Sequence, residues 1–221
     1  MAFWRFIEEY WARYVDGGVT TLGLFACSSA VTVAIAFLLG LMLLSERRAV
    51  RWTATTYVEF FRGTSLLIQL YWIFFVLPIF GVTLPKFTAG FVAVGLNAGA
   101  YGAELVRGAI QAVPKGQWEA AYALSMSPFK RMVRIILPQA FLIMLPSWGN
   151  LLIDVLKGTA LTSLIGIADL MYQAKQINSL TYQSAQAFGL ALIFYYVSAR
   201  FLLTPAMRWL EARLRRNLMR H

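Results

Sequence analysis

Apolar runs long enough to cross a lipid bilayer constrain this chain more than any other feature. The first run, residues 19–44, contains no charged residue. A membrane-spanning helix needs about 20 mostly apolar residues, because the hydrocarbon core offers no hydrogen-bond partners to a backbone outside a helix. Further runs of that length occupy residues 55–79, 87–106, 145–167 and 187–209. The sequence therefore predicts an all-α membrane protein with five transmembrane helices.

The composition supports a membrane location. Of the 221 residues, 59% are hydrophobic and only 14% are charged, which is too apolar for a surface that faces water. The single cysteine, Cys27, cannot form an intrachain disulfide or a cysteine-based metal site. The formal net charge is +10, but no basic segment interleaved with aromatic residues is present. We therefore expect no metal site and no nucleic-acid partner.

The basic residues predict how the chain is oriented. Most of the 20 lysines and arginines fall within residues 47–51, 107–134 and 208–220, which share one side if the spans alternate. The opposite side receives Arg5, Arg13, Lys86 and Lys175. Lysine and arginine are enriched in cytoplasmic loops. We therefore predict an external N-terminus and a cytoplasmic C-terminus.

The N-terminal stretch MAFWRFIEEYWARYVDGG, residues 1–18, places aromatic residues at helical spacing and most of its charges opposite them. This pattern predicts an amphipathic helix at the external, periplasmic interface of the membrane. A cleavable signal peptide is not expected, because the stretch lacks a basic leading region. The string LFAC, which ends at Cys27, resembles a lipoprotein cleavage site only faintly and lies inside the first span. Residues 19–216 are then one transmembrane domain, and residues 217–221 are a basic cytoplasmic tail.

The cytoplasmic loop KGQWEAAYALSMSPFKRMVRIILPQ, residues 115–139, is longer than a connection requires and has a helical pattern. Pro128 predicts a break between two short helices that meet at an angle, and Pro138 closes the segment. One interpretation is a surface helix on the inner leaflet, where its basic residues meet anionic lipid. The order of its residues supports a second interpretation.

Within this loop, EAAYALSMSPFKRMVRIILP resembles the EAA loop of ABC importer permeases, through Glu119 and the two alanines after it, the small residue Ser125 and the final Leu-Pro pair. In that family the loop, here at about residues 110–140, forms a coupling helix that docks on a cytoplasmic ATPase. The resemblance implies that the coupling residues are Glu119, Ala120, Ala121, Ser125, Met126, Ser127 and Pro128. The family usually has glycine where this chain has Ser125, and serine lacks the freedom of glycine at positive φ.

Longer stretches are similar to the polar amino acid subfamily of these permeases. They are YVEFFRGTSLLIQL (57–70), LNAGAYGAELVRGAIQAVPKGQWEAA (96–121) and LPSWGNLLIDVLKGTALTSLIG (145–166). The resemblance implies a type I ABC permease fold, multi-pass in the bacterial cytoplasmic (inner) membrane, in a binding-protein-dependent importer of polar amino acids or related zwitterions. The partners that it implies are an ABC ATPase dimer, a second permease subunit, identical or different, a periplasmic or lipid-anchored solute-binding protein, and membrane lipid.

The chain itself is not expected to be an enzyme. It contains no G-x-x-x-x-G-K-[ST] motif, so ATP and magnesium are expected on the partner ATPase and no cofactor is expected in this chain. An ion-coupled secondary transporter is the alternative from another class. Such transporters are typically built from inverted repeats around a site at the membrane midplane, and the predicted spans show no such repeat.

Charged residues within the predicted spans mark a candidate substrate path, because an isolated charge in hydrocarbon is costly. Glu59 and Arg62 are three residues apart, as are Asp154 and Lys157, so each pair can neutralise itself on one helix face. The resemblance implies substrate contacts at Lys157, Thr159 and Glu59, with Asp154 beside them. Both interpretations, an internal ion pair and a substrate site, are open.

Gly158 stands where the family frequently has an acidic or amide residue. Without that side chain, a substrate ammonium loses one potential partner. Three explanations are open. The substrate lacks a free primary ammonium, as an ectoine-type compatible solute does; the partner permease carries the site; or no stable transmembrane site exists.

Overall fold

The protein is helical throughout the part of the chain, residues 2–218, that its computed structural model describes. In chain order the α-helices are α1 (Ala2–Leu43), α2 (Arg48–Gly63), α3 (Leu66–Tyr71), α4 (Lys86–Gln111), α5 (Lys115–Ala123), α6 (Pro128–Arg131), α7 (Leu137–Thr159), α8 (Leu170–Thr181), α9 (Ser184–Val197) and α10 (Thr204–Leu218). Shorter π-helical or 3₁₀ turns cover Trp72–Val76, Leu77–Phe80, Met132–Ile136, Ala160–Ile165 and Ser198–Leu203. The expected all-α class is confirmed. The end of the predicted tail, residues 219–221, lies outside the described residues.

Among the described residues, 4 helical segments are long and apolar enough to cross a membrane. They are Trp4–Leu43, Lys86–Gln111, Pro128–Ile165 and Ser184–Leu214. The run predicted as a span over residues 55–79 is not one straight helix. It is divided between Arg48–Gly63 and Leu66–Phe80, which are bent by 104° relative to each other. The number of spans reaches 5 only if this bent pair is counted as one span.

The break between α2 and α3 has a local cause. Gly63 ends α2, and the next residue, Thr64, is extended at φ −119° and ψ 154°. Glycine loses more backbone entropy in a helix than other residues, and hydroxyl side chains compete for backbone hydrogen bonds. The Thr64 hydroxyl donates to the Phe60 carbonyl at 2.8 Å. The break leaves the last carbonyls of α2 without helical partners, so side chains from elsewhere must satisfy them.

The N-terminal stretch predicted as a separate helix, residues 1–18, is continuous with the first span in α1 wherever it is described. α9 packs closely against this helix at Gly18, where a Cβ would lie 2.7 Å from the Phe194 ring. Part of the aromatic face is covered by protein, since Tyr14 is buried and its hydroxyl donates to the Ala187 carbonyl at 2.8 Å. The predicted boundary after residue 18 is therefore not a boundary between helices.

α4 lies at the centre of the bundle and packs against α1 and α7. Small residues allow the close approach, since a Cβ at Gly99 would lie 2.6 Å from the Ile35 side chain of α1. Likewise, a Cβ at Gly102 would lie 2.9 Å from the Trp148 ring of α7. Larger residues would force the helices apart. This packing places one face of α4 opposite α7 and beside the break that precedes α3.

Candidate functional site

The loop that resembles the EAA loop folds as a helix, a tight turn and a second helix. The break expected at Pro128 is present, because α5 ends at Ala123 and Pro128 is the first residue of α6. The second helix is not short, however. It continues through a π-helical turn into α7, so Pro138 lies inside a long helix and does not close the loop. A proline clashes with the carbonyl four residues before it, and the π-helical turn just ahead of Pro138 shifts the hydrogen bonds by one residue.

Ser125 occupies the left-handed position that ends α5. Its φ is 50°, in the region that favours glycine. The Ser125 amide donates to the Tyr122 carbonyl at 2.8 Å, and the Met126 amide donates to the Ala121 carbonyl at 3.1 Å. These two bonds form a Schellman motif, in which the left-handed residue is usually glycine. The turn is therefore kept although this chain has serine there.

Two side-chain contacts fix α5 to the long helix that follows it. The Arg131 guanidinium lies 3.8 Å from the Tyr122 ring centroid and 5.7 Å from that of Trp118. Arg131 is only 9% exposed. The Gln139 amide group donates to the Gln117 side-chain oxygen at 3.2 Å. Because α5 is tied at both positions, a force applied to α5 is passed on to α6 and α7.

The predicted coupling residues do not all lie on the same face of the loop. Glu119 and Ala120 are exposed, whereas Ala121 is fully buried against its own chain and is not available to a partner in this structure. Leu124 and Phe129, which border the turn, are 73% and 76% exposed. Sequence reasoning missed these two apolar side chains. Their exposure could have been predicted, because neither residue falls at the helical spacing of the apolar residues in the adjacent helix.

A cavity of about 340 Å³ lies between α4 and α7, next to the break before α3. It is lined by Leu66, Val94, Asn97, Ala98, Tyr101, Leu151, Asp154 and Val155. The lining residues with polar side chains are Asn97, Tyr101 and Asp154. Sequence reasoning missed Asn97 and Tyr101, and the signal for Asn97 was an amide inside an otherwise apolar span.

Of the residues predicted to line a substrate path, only Asp154 borders this cavity. Lys157 is exposed beside it, with its Nζ atom 3.6 Å from the Asp154 carboxylate, so the expected ion pair forms. Thr159 is fully buried, and its hydroxyl donates to the Leu156 carbonyl at 2.7 Å. Glu59 is exposed on α2. The structure therefore brings Asp154 and Lys157 together but does not bring Thr159 or Glu59 to the cavity.

The expected pair of Glu59 and Arg62 does not form. The Arg62 guanidinium instead lies 3.9 Å from the Glu104 carboxylate on α4, and 5.5 Å from the Tyr101 ring centroid. Glu104 is bound more closely by Arg107, at 2.6 Å. Arg62 reaches α4 because it is in the last turn of α2, just before the chain bends. Tertiary packing thus replaces the pairing that the helical spacing favoured.

Gly158 faces two residues that line the cavity. A Cβ at this position would lie 3.3 Å from Leu66 and 3.6 Å from Val94. A Cβ at position 158 would therefore require a small shift of the Leu66 side chain and would be in ordinary contact with Val94. Glycine leaves room there.

Asp169 is a buried carboxyl group in the connection between the third and fourth of the long helices. Its Oδ1 atom accepts a hydrogen bond from the Tyr172 amide at 2.8 Å and so caps α8. Its Oδ2 atom has no hydrogen-bond partner among the described residues. Burial raises the pKa of Asp169 to about 7, although the Tyr172 amide and nearby Lys175 act in the opposite direction. This group was not identified from the sequence.

Residues 32–216 match the family model described as the inner membrane component of binding-protein-dependent transport systems. The chain is 36% identical to the L-cystine transport system permease protein TcyB of Bacillus subtilis, over 96% of this chain and 92% of that protein. It is 43% identical to the probable amino-acid ABC transporter permease protein y4tF of Sinorhizobium fredii, over 95% of this chain and 90% of that protein. It is 35% identical to the arginine transport system permease protein ArtQ of Bacillus subtilis, over 92% of this chain and 93% of that protein.

Solved structures share the fold. A crystal structure of an amino acid ABC transporter with histidines has a TM-score of 0.86 at 36% identity, covering 94% of this chain and 96% of that chain. An inward-facing structure of the MetNI methionine ABC transporter has a TM-score of 0.82 at 20% identity, covering 94% and 98%. At 20% identity, the similarity to the methionine transporter shows only that the fold is shared.

Proposed function

The chain belongs to the family of inner membrane components of binding-protein-dependent transport systems, and we propose that it is the permease subunit of an ATP-driven importer of polar amino acids. ATP hydrolysis belongs to a separate ATPase, so this subunit is not an enzyme. Its site of action is the bacterial inner membrane, with the N-terminus outside and the C-terminus in the cytoplasm. It works with a second permease subunit and a solute-binding protein that delivers the amino acid.

One structural observation carries the proposal. α5 is fixed by Arg131 and Gln139 to the same long helix, Pro128–Ile165, that forms a wall of the cavity through Leu151, Asp154 and Val155. A push on α5 from an ATPase therefore reaches the cavity through one continuous helix. This is the mechanical connection that an ATP-driven permease requires.

The contact with the ATPase is made by the exposed face of this loop. Glu119 and Ala120 supply a carboxylate and a small surface, and Leu124 and Phe129 supply exposed apolar contacts at the turn. Ser125, Met126, Ser127 and Pro128 shape that turn. Ala121 acts from the other side, because its small side chain lets α5 pack against its own chain.

The amino acid passes through the cavity between α4 and α7. A cavity of about 340 Å³ is within the size range of small-molecule sites. Asp154 presents a negative charge to it. Lys157 holds this carboxylate from the exposed side, and Thr159 supports the helix, so neither is required to contact the substrate.

Uptake by the reconstituted transporter tests this function. The chain is co-purified with its ATPase, second permease and binding protein, placed in proteoliposomes and supplied with labelled L-arginine, L-glutamine or L-cystine. Ala120→Trp should abolish ATP-driven uptake and weaken ATPase co-purification, because a large side chain blocks docking. Leu180→Trp, at an exposed position near the end of α8 and away from the loop that contains α5, should leave both unchanged. Uptake that follows an ion gradient without ATP would contradict the proposal, and competition by ectoine alone would contradict the substrate class.

A further inference from the structure

The break between α2 and α3 exposes a backbone carbonyl that organises two amide side chains. The Phe61 carbonyl oxygen accepts from Gln69 Nε2 at 3.0 Å and from Asn97 Nδ2 at 3.1 Å. A carbonyl oxygen can only accept hydrogen bonds. Both amides must therefore direct their NH₂ groups at Phe61, and their orientations follow from this chemistry.

Gln69 uses both ends of its amide. It is only 7% exposed, and its Nε2 atom also donates to the Thr64 hydroxyl at 2.6 Å. Its Oε1 atom accepts from Asn97 Nδ2 at 3.0 Å. The NH₂ group of Asn97 thus has both of its hydrogens committed, one to Phe61 and one to Gln69. What remains of the Asn97 amide for the cavity that it lines is the oxygen.

We propose that Gln69 is a positioning residue that holds the Asn97 amide with its oxygen, and not its NH₂ group, toward the cavity. The cavity then presents hydrogen-bond acceptors from two helices, the Asn97 oxygen on α4 and the Asp154 carboxylate on α7. Such a wall favours a substrate group that donates several hydrogen bonds, such as an ammonium. This inference rests on the proposed function, because it assigns a selectivity to the proposed substrate cavity.

A purely structural role would look different. If Gln69 only stabilised the backbone between α2 and α3, its loss would lower stability and transport without changing which substrate is preferred. If it positions Asn97, its loss leaves the Phe61 carbonyl as the single acceptor for the Asn97 NH₂ group, so the amide rotates more readily and presents an N–H donor to the cavity. The preference for a substrate with an ammonium over one without it should then fall.

The test measures binding to the detergent-purified permease–ATPase complex, so that the binding protein does not set the affinity. The probes are labelled L-glutamine, L-arginine and L-cystine, and the tightest of them is competed with its 2-hydroxy analogue, which lacks the ammonium. Gln69→Met should lower the preference for the amino acid by about tenfold, the scale of one hydrogen bond to a charged group. Gln69→Glu retains an acceptor for Asn97 and should keep the preference, although it loses the donor to Phe61.

Thr64→Val is the matched control for a purely structural role of Gln69. It removes the hydroxyl that accepts from Gln69 but leaves the bond between Gln69 and Asn97. It should lower the melting temperature and leave the preference unchanged. An unchanged preference in Gln69→Met would overturn the inference, whatever its stability. Failure of all three probes to bind the complex, with ATP-driven uptake intact, would also overturn it while leaving the proposed function standing.

Discussion

Ser125 shows how much depends on one backbone angle. An L-residue in the left-handed region costs about 1 kcal/mol relative to glycine, and Ser125 adopts φ 50°. We therefore expect Ser125→Gly to stabilise the protein by up to about 1 kcal/mol. A rise in the melting temperature of the purified transporter would show this gain.

Ser127 is the matched control for that substitution. It is two residues away, its φ is −60°, and its side chain accepts from the Lys130 amide at the start of α6. Glycine brings no relief at such an angle and removes the cap. Ser127→Gly should therefore lower the melting temperature slightly, and equal stabilisation by both substitutions would contradict the role assigned to the Ser125 angle.

Asp169 gives the stability of the protein a defined pH dependence. Burial raises its pKa from 3.8 to about 7. Between these values the folded state binds more protons at this group than the unfolded state does, so its contribution to stability is complete below pH 3.8 and is lost as the pH rises through 7. Asp169→Asn keeps an oxygen that can cap α8 and removes the titration.

The melting temperature of the purified transporter, followed from pH 5 to pH 8, measures this effect. The native protein should lose stability across the range more steeply than Asp169→Asn. Parallel profiles for the two proteins would show that the Asp169 carboxyl does not titrate there.

Arg131 joins α5 to the long helix, together with the hydrogen bond between Gln139 and Gln117. Its guanidinium lies over the Tyr122 ring, and a contact between a buried cation and a partly exposed ring contributes about 0.5–2 kcal/mol. Arg131→Met keeps most of the volume and loses this attraction, so α5 should move more freely on the long helix. We expect uptake per ATP hydrolysed to fall by up to about tenfold while the ATPase still co-purifies.

Arg134 provides the control substitution for Arg131. It lies on the same helical segment and is exposed. Arg134→Met should leave the ratio of uptake to hydrolysis near its native value. A similar fall in both variants would mean that general basic charge, and not the contact with Tyr122, matters.

The elements also show which features local sequence patterns can predict. Length and apolarity correctly indicated the long helices, because those properties are local. The bend after Gly63 was missed, because a hydropathy average over residues 55–79 is insensitive to a two-residue break. The spacing left open a pair between Glu59 and Arg62, but it could not indicate Glu104, which only the fold brings near Arg62.

Pro138 and Ala121 illustrate the same limit in the loop that we propose docks on the ATPase. A proline commonly marks a helix boundary, but a π-helical turn lets the long helix continue through Pro138. The motif pointed to Ala121 as part of a docking surface, yet only the packing of α5 reveals that Ala121 faces inward. Motifs therefore locate the functional loop better than they locate its exposed face.

At the scale of the whole molecule, the loop containing α5 and the connection containing α8 lie at opposite ends of the Pro128–Ile165 helix. The charge distribution predicts that α5 is cytoplasmic. A reporter fused after Arg216 should therefore be cytoplasmic, and one inserted between Lys175 and Gln183 should be external. The reverse labelling pattern would place α5 outside the cell and would exclude its docking on a cytoplasmic ATPase.

The bend after Gly63 has a consequence for how the protein is made. α2 has 16 residues, about 24 Å of helix, which is less than the roughly 30 Å hydrocarbon core. The carbonyl freed at its end is satisfied partly by Asn97, which the ribosome adds 36 residues after Phe61. Until α4 has emerged, the Phe61 carbonyl has a partner in Gln69 of the same bent segment but lacks Asn97. We therefore expect the bent segment to reach its final place in the membrane only after α4 has been synthesised.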